Sequence, residues 1–227
     1  MSSGHGVATT STARNRTGSP LTAQAAAADA LYRGGAVADG VARATAVLAA
    51  RPGDERALVL LGQAAIDKSD WNAAAAAYTT VLAANPRQYA AGNNLAWILA
   101  EKQNDPSAAL KWVEAVRAGP SGSRPMSPER LPAEFLDTLG LVYRKLNQPE
   151  RFKEMVTVFA AAATRHPSDP RMRLHLGVAQ AATADPVAAK ESLTAAVKLA
   201  QGRNGLRPAV NAETAAAAEA ELRRLGG

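Results

Sequence analysis

Residues Glu55 to Gln88 read ERALVLLGQAAIDKSDWNAAAAAYTTVLAANPRQ. Leu58, Leu61, Ala65 and Ile66 fall three or four apart, so they line one face of a first helix. Asp70 is placed to cap a second helix, because its carboxylate can accept from the unpaired amides of a helical first turn. That second helix carries Ala74, Tyr78, Val81 and Leu82 on one side. It stops at Asn85-Pro86, where proline disfavours helix for the residue before it. Gly62 and Ala74 are the small residues at which two helices can approach closely. The stretch therefore predicts a helical hairpin.

Recurrence decides whether that hairpin stands alone. A step of about 34 residues backwards from Pro86 lands on Pro52, and the same step forwards lands on Pro120. The preceding block, about 21–54, is a degenerate copy with Ala27-Ala28 at the Leu-Gly site, then Leu31-Tyr32, with Gly40 at the small site and Val47-Leu48 before Pro52. The following block, about 89–120, has Leu95-Ala96, Ala108 and Trp112 in register. Its second helix opens at Asp105-Pro106, a capping aspartate followed by a proline whose missing amide would have been unpaired anyway. From Ala118 to Pro132 the stretch AGPSGSRPMSPERLP breaks the period, and its glycines, prolines and serines predict an inserted loop. Arg124, Met126 and Arg130 are its candidate contacts.

A fourth block, about 133–169, resumes with Leu136, Leu139-Gly140, Tyr143 and Gln148-Pro149. Phe152 stands where a small residue is usual and Pro167 arrives about one helical turn late, so the second helix is expected to be longer and packed differently. The fifth block, about 170–203, carries Leu176-Gly177, Asp185-Pro186, Ala189, Leu193 and Ala196. A last amphipathic segment, 208–227, has Leu222 and Leu225 among charges and is expected to cap the stack.

At Leu58, Leu61-Gly62, Ala74, Tyr78 and Pro86 the spacing is that of the tetratricopeptide repeat, and the chain over 21–203 resembles that family. The resemblance implies an all-α fold, a tetratricopeptide-like α-solenoid. It would be a right-handed superhelix of about five helical hairpins plus a C-terminal capping helix, with the first helix of each hairpin facing a concave groove. It also implies a non-catalytic protein–protein interaction module that binds a partner segment in that groove.

In this register the groove-facing positions include Asp29 and Arg33; Arg56, Gln63 and Asp67; Asn93, Asn94 and Trp97; Asp137, Arg144 and Lys145; and Arg171 and His175. From these, Asn93, Asn94, Trp97, Arg144, Lys145, Arg171 and His175 are the expected partner-binding residues. An asparagine amide both donates and accepts, so it can pair with the backbone of an extended peptide without reading its sequence. The alternative role for Asn94 is to satisfy neighbouring helices, and Trp97 can equally be packed between repeats. A groove wall with Arg144, Lys145 and Arg171 would prefer an acidic protein or peptide. The carboxylate clamp of the chaperone cochaperones is not reproduced, since Ala25, Asp29, Val59 and Gln63 stand where its lysines and asparagines would be needed.

Composition narrows the other classes. The 227 residues are 47% hydrophobic but only 4% aromatic, which suits helices packed on alanine and leucine. With no cysteine and three scattered histidines, the sequence offers no thiolate site, no H-E-x-x-H zinc helix and no expected cofactor or metal. No phosphate-cradling glycine loop or G-x-S-x-G elbow occurs, so the chain is not expected to be an enzyme. His166, before Pro167 at a helix end, fits a dipole-facing role.

The net charge of +6 is spread without a long basic run, so nucleic acid is not expected as a partner. No apolar run approaches the roughly eighteen residues of a membrane span. The polar tail 1–20 has no apolar h-region, which favours the cytoplasm; were the chain a fragment, an extracytoplasmic place would stay open. The alternative reading is a structural, soluble part of a larger bacterial envelope or polysaccharide-export or secretion assembly. Self-association through the ends of the stack is a third.

Overall fold

The computed structural model describes residues 20–121, 123–124, 126–127, 130–202 and 204–226, and the polar tail up to residue 19 lies outside them. The described residues fall into two compact units that divide between Leu60 and Leu61. All regular structure among the described residues is helical.

In the first unit, α1 (Pro20–Arg33) and α2 (Val37–Ala50) form a hairpin. Pro20, which the sequence reading gave to the tail, is already the first helical residue, where its missing amide costs nothing. Gly35, at φ +90, reverses the chain. Ala25, Ala28, Ala44 and Val47 are buried between the helices. Gly40 lets the backbones meet: a Cβ there would come within 2.9 Å of the Ala28 carbonyl oxygen. Asp54 then caps α3 (Glu55–Asp67), its Oδ1 accepting from the Ala57 amide at 3.1 Å while Arg51 holds the other oxygen at 3.1 Å.

The second unit contains α4 (Trp71–Ala84), α5 (Tyr89–Trp97), α6 (Pro106–Ala118), α7 (Ala133–Leu146), α8 (Pro149–Arg165), α9 (Pro170–Ala182), α10 (Pro186–Ala200) and α11 (Pro208–Gly226). Helix α5 packs on α6 and α7, α7 on α9, and α9 on both α10 and α11, so the odd-numbered helices from α5 onward adjoin one another. Leu95, Ile98, Phe135, Leu136, Leu139, Phe159, Met172 and Leu193 fill the interior.

One turn recurs. A residue with positive φ (Ser69, Asn104, Asn147, Ala184) is followed by a residue that opens the next helix (Asp70, Asp105, Gln148, Asp185). The three aspartates accept from the amide three residues on, at 3.0, 2.8 and 3.1 Å. Each such cap is worth about 1 kcal/mol. Gln148 makes no side-chain cap, and Pro149 at the first position removes one of the amides it would have served. Ser69 to Asn104 is one residue longer than Gly35 to Ser69, and the π-helical turn Ile98–Lys102 at the end of α5 absorbs it.

The fourth hairpin departs from the others as its sequence suggests. Helix α8 runs 17 residues, and Phe152, buried at the small-residue position, keeps it off α7. It rests chiefly on α9. Gly62 and Gly177 admit Tyr78 and Leu193 from the second helix of their own hairpins, whereas Gly140 admits the ring of His175 from α9.

Ala184 carries the recurring positive φ, 62°, with a Cβ that opposes it. Ala184→Gly should raise the unfolding free energy by about 0.5–1 kcal/mol in urea denaturation. The same change at exposed Ala160, in the interior of α8, should lower it by about 1 kcal/mol.

Candidate functional site

Two cavities of the second unit collect most of the expected binding residues. The first, about 560 Å³, lies where α5 and α7 begin, and is lined by Arg87, Tyr89, Asn93, Asn94, Glu134 and Phe135 among others. Tyr89 and Phe135 form its aromatic wall, edge to face with centroids 5.5 Å apart. The Tyr89 hydroxyl is buried without a hydrogen-bond partner. Arg87 closes one side by donating to the carbonyls of Ala118 and Arg124 at 3.1 and 2.7 Å, which ties the inserted loop to the α4–α5 connection. Gly119 at φ +74 makes room for that guanidinium. Arg124 and Arg130 are exposed, and the Met126 amide is turned back onto the Arg117 carbonyl.

Asn93 and Asn94 are held by a polar chain running across three helices. Asn94 donates to the Tyr78 hydroxyl at 3.0 Å, Asn93 donates to Asn94 Oδ1 at 3.4 Å, and Thr138 donates to Asn93 Oδ1 at 2.6 Å. Burial pushes the Tyr78 phenol above its ordinary value, outweighing the hydrogen bond from Asn94. Both roles read from the sequence are thus compatible with the geometry. Each amide nitrogen has two hydrogens and uses one here, so one N–H per asparagine remains for the cavity they line.

The second cavity, about 300 Å³, is walled by α5, α7, α9 and α11, and brings Trp97, Thr138, Arg144, Arg171 and His175 together with Asp137 and Glu213. Trp97 stands edge-on to Trp71 at 5.9 Å, and the Lys102 ammonium lies 4.8 and 5.1 Å from the two ring centroids. Sequence reasoning missed Trp71 and Lys102, because the pair forms only when the π-helical turn brings Lys102 beside both rings.

The basic residues are unequal. Arg171 meets Asp169 at 2.6 Å and Asp137 at 3.2 Å. Although burial works against its charge, those carboxylates push its pKa up. Lys145 pairs with Glu101 at 3.2 Å and lines neither cavity. Arg144 has a buried Nε without a partner, and burial lowers its pKa.

His175 is expected from sequence to face the groove, but only 1% of it is exposed. It fits against Gly140, where a Cβ would stand 2.5 Å from its ring, and against Phe159 with centroids 4.8 Å apart. Its Nε2 lies 2.8 Å from Asp137 Oδ1. Burial opposes the Asp137 charge, but the His175 hydrogen bond and the charges of Arg171 and Arg144 hold its carboxyl below the usual value. An ionised carboxylate only accepts, so Nε2 carries the proton. Burial lowers the His175 pKa, the Asp137 hydrogen bond notwithstanding. The ring is neutral, and Nδ1 is left without a partner. Its role is to fix Asp137, which in turn holds Arg171.

No group of three or more metal-ligating side chains occurs among the described residues, and no helix there is long and apolar enough to cross a membrane. The tetratricopeptide repeat family pattern matches residues 59–123. No curated protein matches in sequence. Solved structures with the same fold include MamA 41-end from Desulfovibrio magneticus RS-1, with TM-score 0.62 and 20% identity over 83% of this chain and 99% of that one. Another is YrrB, described as a TPR protein with an unusual peptide-binding site, with TM-score 0.60 and 19% identity over 78% and 84%. A third is PilW, described as a widely conserved type IV pilus biogenesis factor, with TM-score 0.60 and 16% identity over 91% and 94%.

A neutral buried histidine ties stability to pH. Below its ordinary pKa of 6.5 the unfolded chain takes up a proton that the folded chain refuses, so this contribution is full above about pH 6.5 and falls as pH falls toward the folded-state value. The depressed Asp137 adds a separate loss below its ordinary 3.8. Urea denaturation between pH 7.5 and 5 should show the intact chain losing up to about 1.4 kcal/mol per pH unit relative to His175→Phe. Parallel curves would remove His175 as the cause.

Proposed function

We propose that this chain, whose residues 59–123 match the tetratricopeptide repeat family, is a non-catalytic protein-interaction module whose partner segment lies in the groove lined by α5, α7 and α9. The observation that carries this reading is that the two cavities are neighbours. Asn93 lines the first, Thr138 lines the second, and the two side chains share a 2.6 Å hydrogen bond. An extended segment would take backbone hydrogen bonds from the free N–H groups of Asn93 and Asn94, set an apolar side chain against Tyr89, which Phe135 backs, and reach Arg144 in the second cavity with an acidic one. YrrB, of the same fold and described by its peptide-binding site, supports a peptide as the occupant. With Arg171 and Lys145 already paired, the preference for acid rests on Arg144 rather than on all three bases.

The second reading makes the chain a structural part of a larger bacterial envelope assembly, and the description of PilW as a pilus biogenesis factor favours it. The two are compatible, because a segment of an assembly component can be what the groove holds.

Ala90 separates groove binding from binding elsewhere. It is exposed on α5 and lines the first cavity, so Ala90→Trp fills that space without entering the core. Affinity capture from lysate with the intact chain and with Ala90→Trp, matched for helicity by circular dichroism, should show a protein retained by the first and reduced at least about tenfold on the second, since blocking the site removes about 1.4 kcal/mol or more. Equal retention by both would move the site out of the groove.

A further inference from the structure

We infer that Arg144 is a seat for a carboxylate, built to receive one from outside the chain. The inference rests on the groove reading only for who brings the carboxylate; that Arg144 binds one is tested separately.

Each of the three carboxylates whose charge acts on Arg144 is held by another base. Asp137 gives one oxygen to His175 at 2.8 Å and the other to Arg171 at 3.2 Å. Glu101 is paired with Lys145 at 3.2 Å, and Glu221 with Arg224 at 2.8 Å. None lies within ion-pair distance of Arg144, though all three act on it from further away. The contrast with other arginines of the unit is direct. Arg117, Arg151 and Arg171 each touch a carboxylate, and in each the charged form gains despite burial; in Arg144 burial prevails. The Arg144 Nε is buried with no hydrogen-bond partner, and a guanidinium partly withdrawn from water without a contact ion is costly.

The side chain can also be reached. It lines the 300 Å³ cavity between α5, α7, α9 and α11, and a second space of about 520 Å³ toward Pro149, Phe152 and Val178. The form of the ligand follows from its surroundings. A guanidinium offers parallel N–H groups that match the two oxygens of a carboxylate. Asp137 and Glu213 share the cavity, and they would repel a doubly charged phosphate more strongly than a singly charged carboxylate. A side-chain carboxylate and a chain-terminal one have the same chemistry here.

The test is an NMR titration of the full chain carrying ¹⁵N-arginine, at constant ionic strength. The probes are acetyl-triglutamate amide, acetyl-trialanine with a free terminal carboxylate, acetyl-triglutamine amide and inorganic phosphate. The Arg144 Nε–Hε resonance, assigned by its loss in Arg144→Lys, should shift with at least one carboxylate probe at concentrations at least tenfold below those needed for the glutamine peptide or phosphate. Which probe acts decides between a side chain and a terminus. Arg144→Gln should abolish binding of that probe, and Lys190→Gln, at an exposed position on α10, should leave it within twofold. An unmoved Arg144 resonance, a response equal for the glutamine peptide, or tighter binding of phosphate would each overturn the inference. Because the readout needs no protein partner, a groove that retains nothing in the capture experiment and an Arg144 that takes no carboxylate remain separate failures.

Discussion

Close approach of helices at positions without a side chain governs this architecture. Where Gly62 meets Tyr78, Gly92 meets Val116 and Gly177 meets Leu193, an added Cβ would lie 2.6–2.8 Å from the nearest side-chain atom, so the helices could not keep their spacing. A chain this poor in aromatic residues has few large side chains to bridge wider gaps. It compensates by bringing helices near enough for alanine and valine to bury one another; Ala74, Ala91, Ala96, Ala109, Ala189 and Ala196 are all inaccessible. The capped turns do the complementary work of setting where each second helix begins, and hence which residue meets each glycine.

At Gly140 the same constraint has acquired a different consequence. The space left by its missing side chain is filled by an imidazole from the next hairpin instead of an apolar group from its own. His175 then orients Asp137, and Asp137 with Asp169 immobilises Arg171. A packing vacancy has thereby become the root of a polar network reaching the surface of the groove. Since Asp137 is saturated by His175 and Arg171, Arg144 one turn or two further along α7 goes without a contact ion. The charge distribution of the groove is thus a result of helix spacing as much as of the number of basic residues.

The hairpins were legible because their signals are local. Asp70, Asp105 and Asp185 declare helix starts by residue type, and Pro52, Pro86 and Pro120 stand 34 residues apart, a register that chance does not supply. The positive-φ residues before the caps were not legible, since serine, two asparagines and an alanine share no type, and Ala184 runs against preference. The site was legible as a set of positions but not as a set of partners. Sequence register places Asn93, Arg144 and Arg171 on first helices; it carries no information that Thr138 closes on Asn93 across the 118–132 insertion, or that Glu101 neutralises Lys145. Such pairings depend on the rotation of one helix against the next, which the insertion and the long α8 both alter.

The two cavities differ in a way that bears on how a single segment could be read. Around the first, Tyr89, backed by the buried Phe135, presents apolar surface and the asparagines offer N–H groups, a combination that would favour extended backbone with a hydrophobic side chain and be indifferent to its sequence otherwise. Around the second, arginine, aspartate and glutamate converge, and discrimination there follows charge. Affinity from the first cavity comes from removing apolar area from water and persists in salt. Specificity from the second is better protected from screening than a surface ion pair would be, because Arg144 is largely enclosed. A segment carrying only the apolar side chain would leave Arg144 without its ion, and one carrying only the acid would forgo the area against Tyr89. On the proposed reading, cavities that neighbour one another at the Asn93–Thr138 contact would reward a partner that brings both groups at a fixed separation, and would so tell one segment from another.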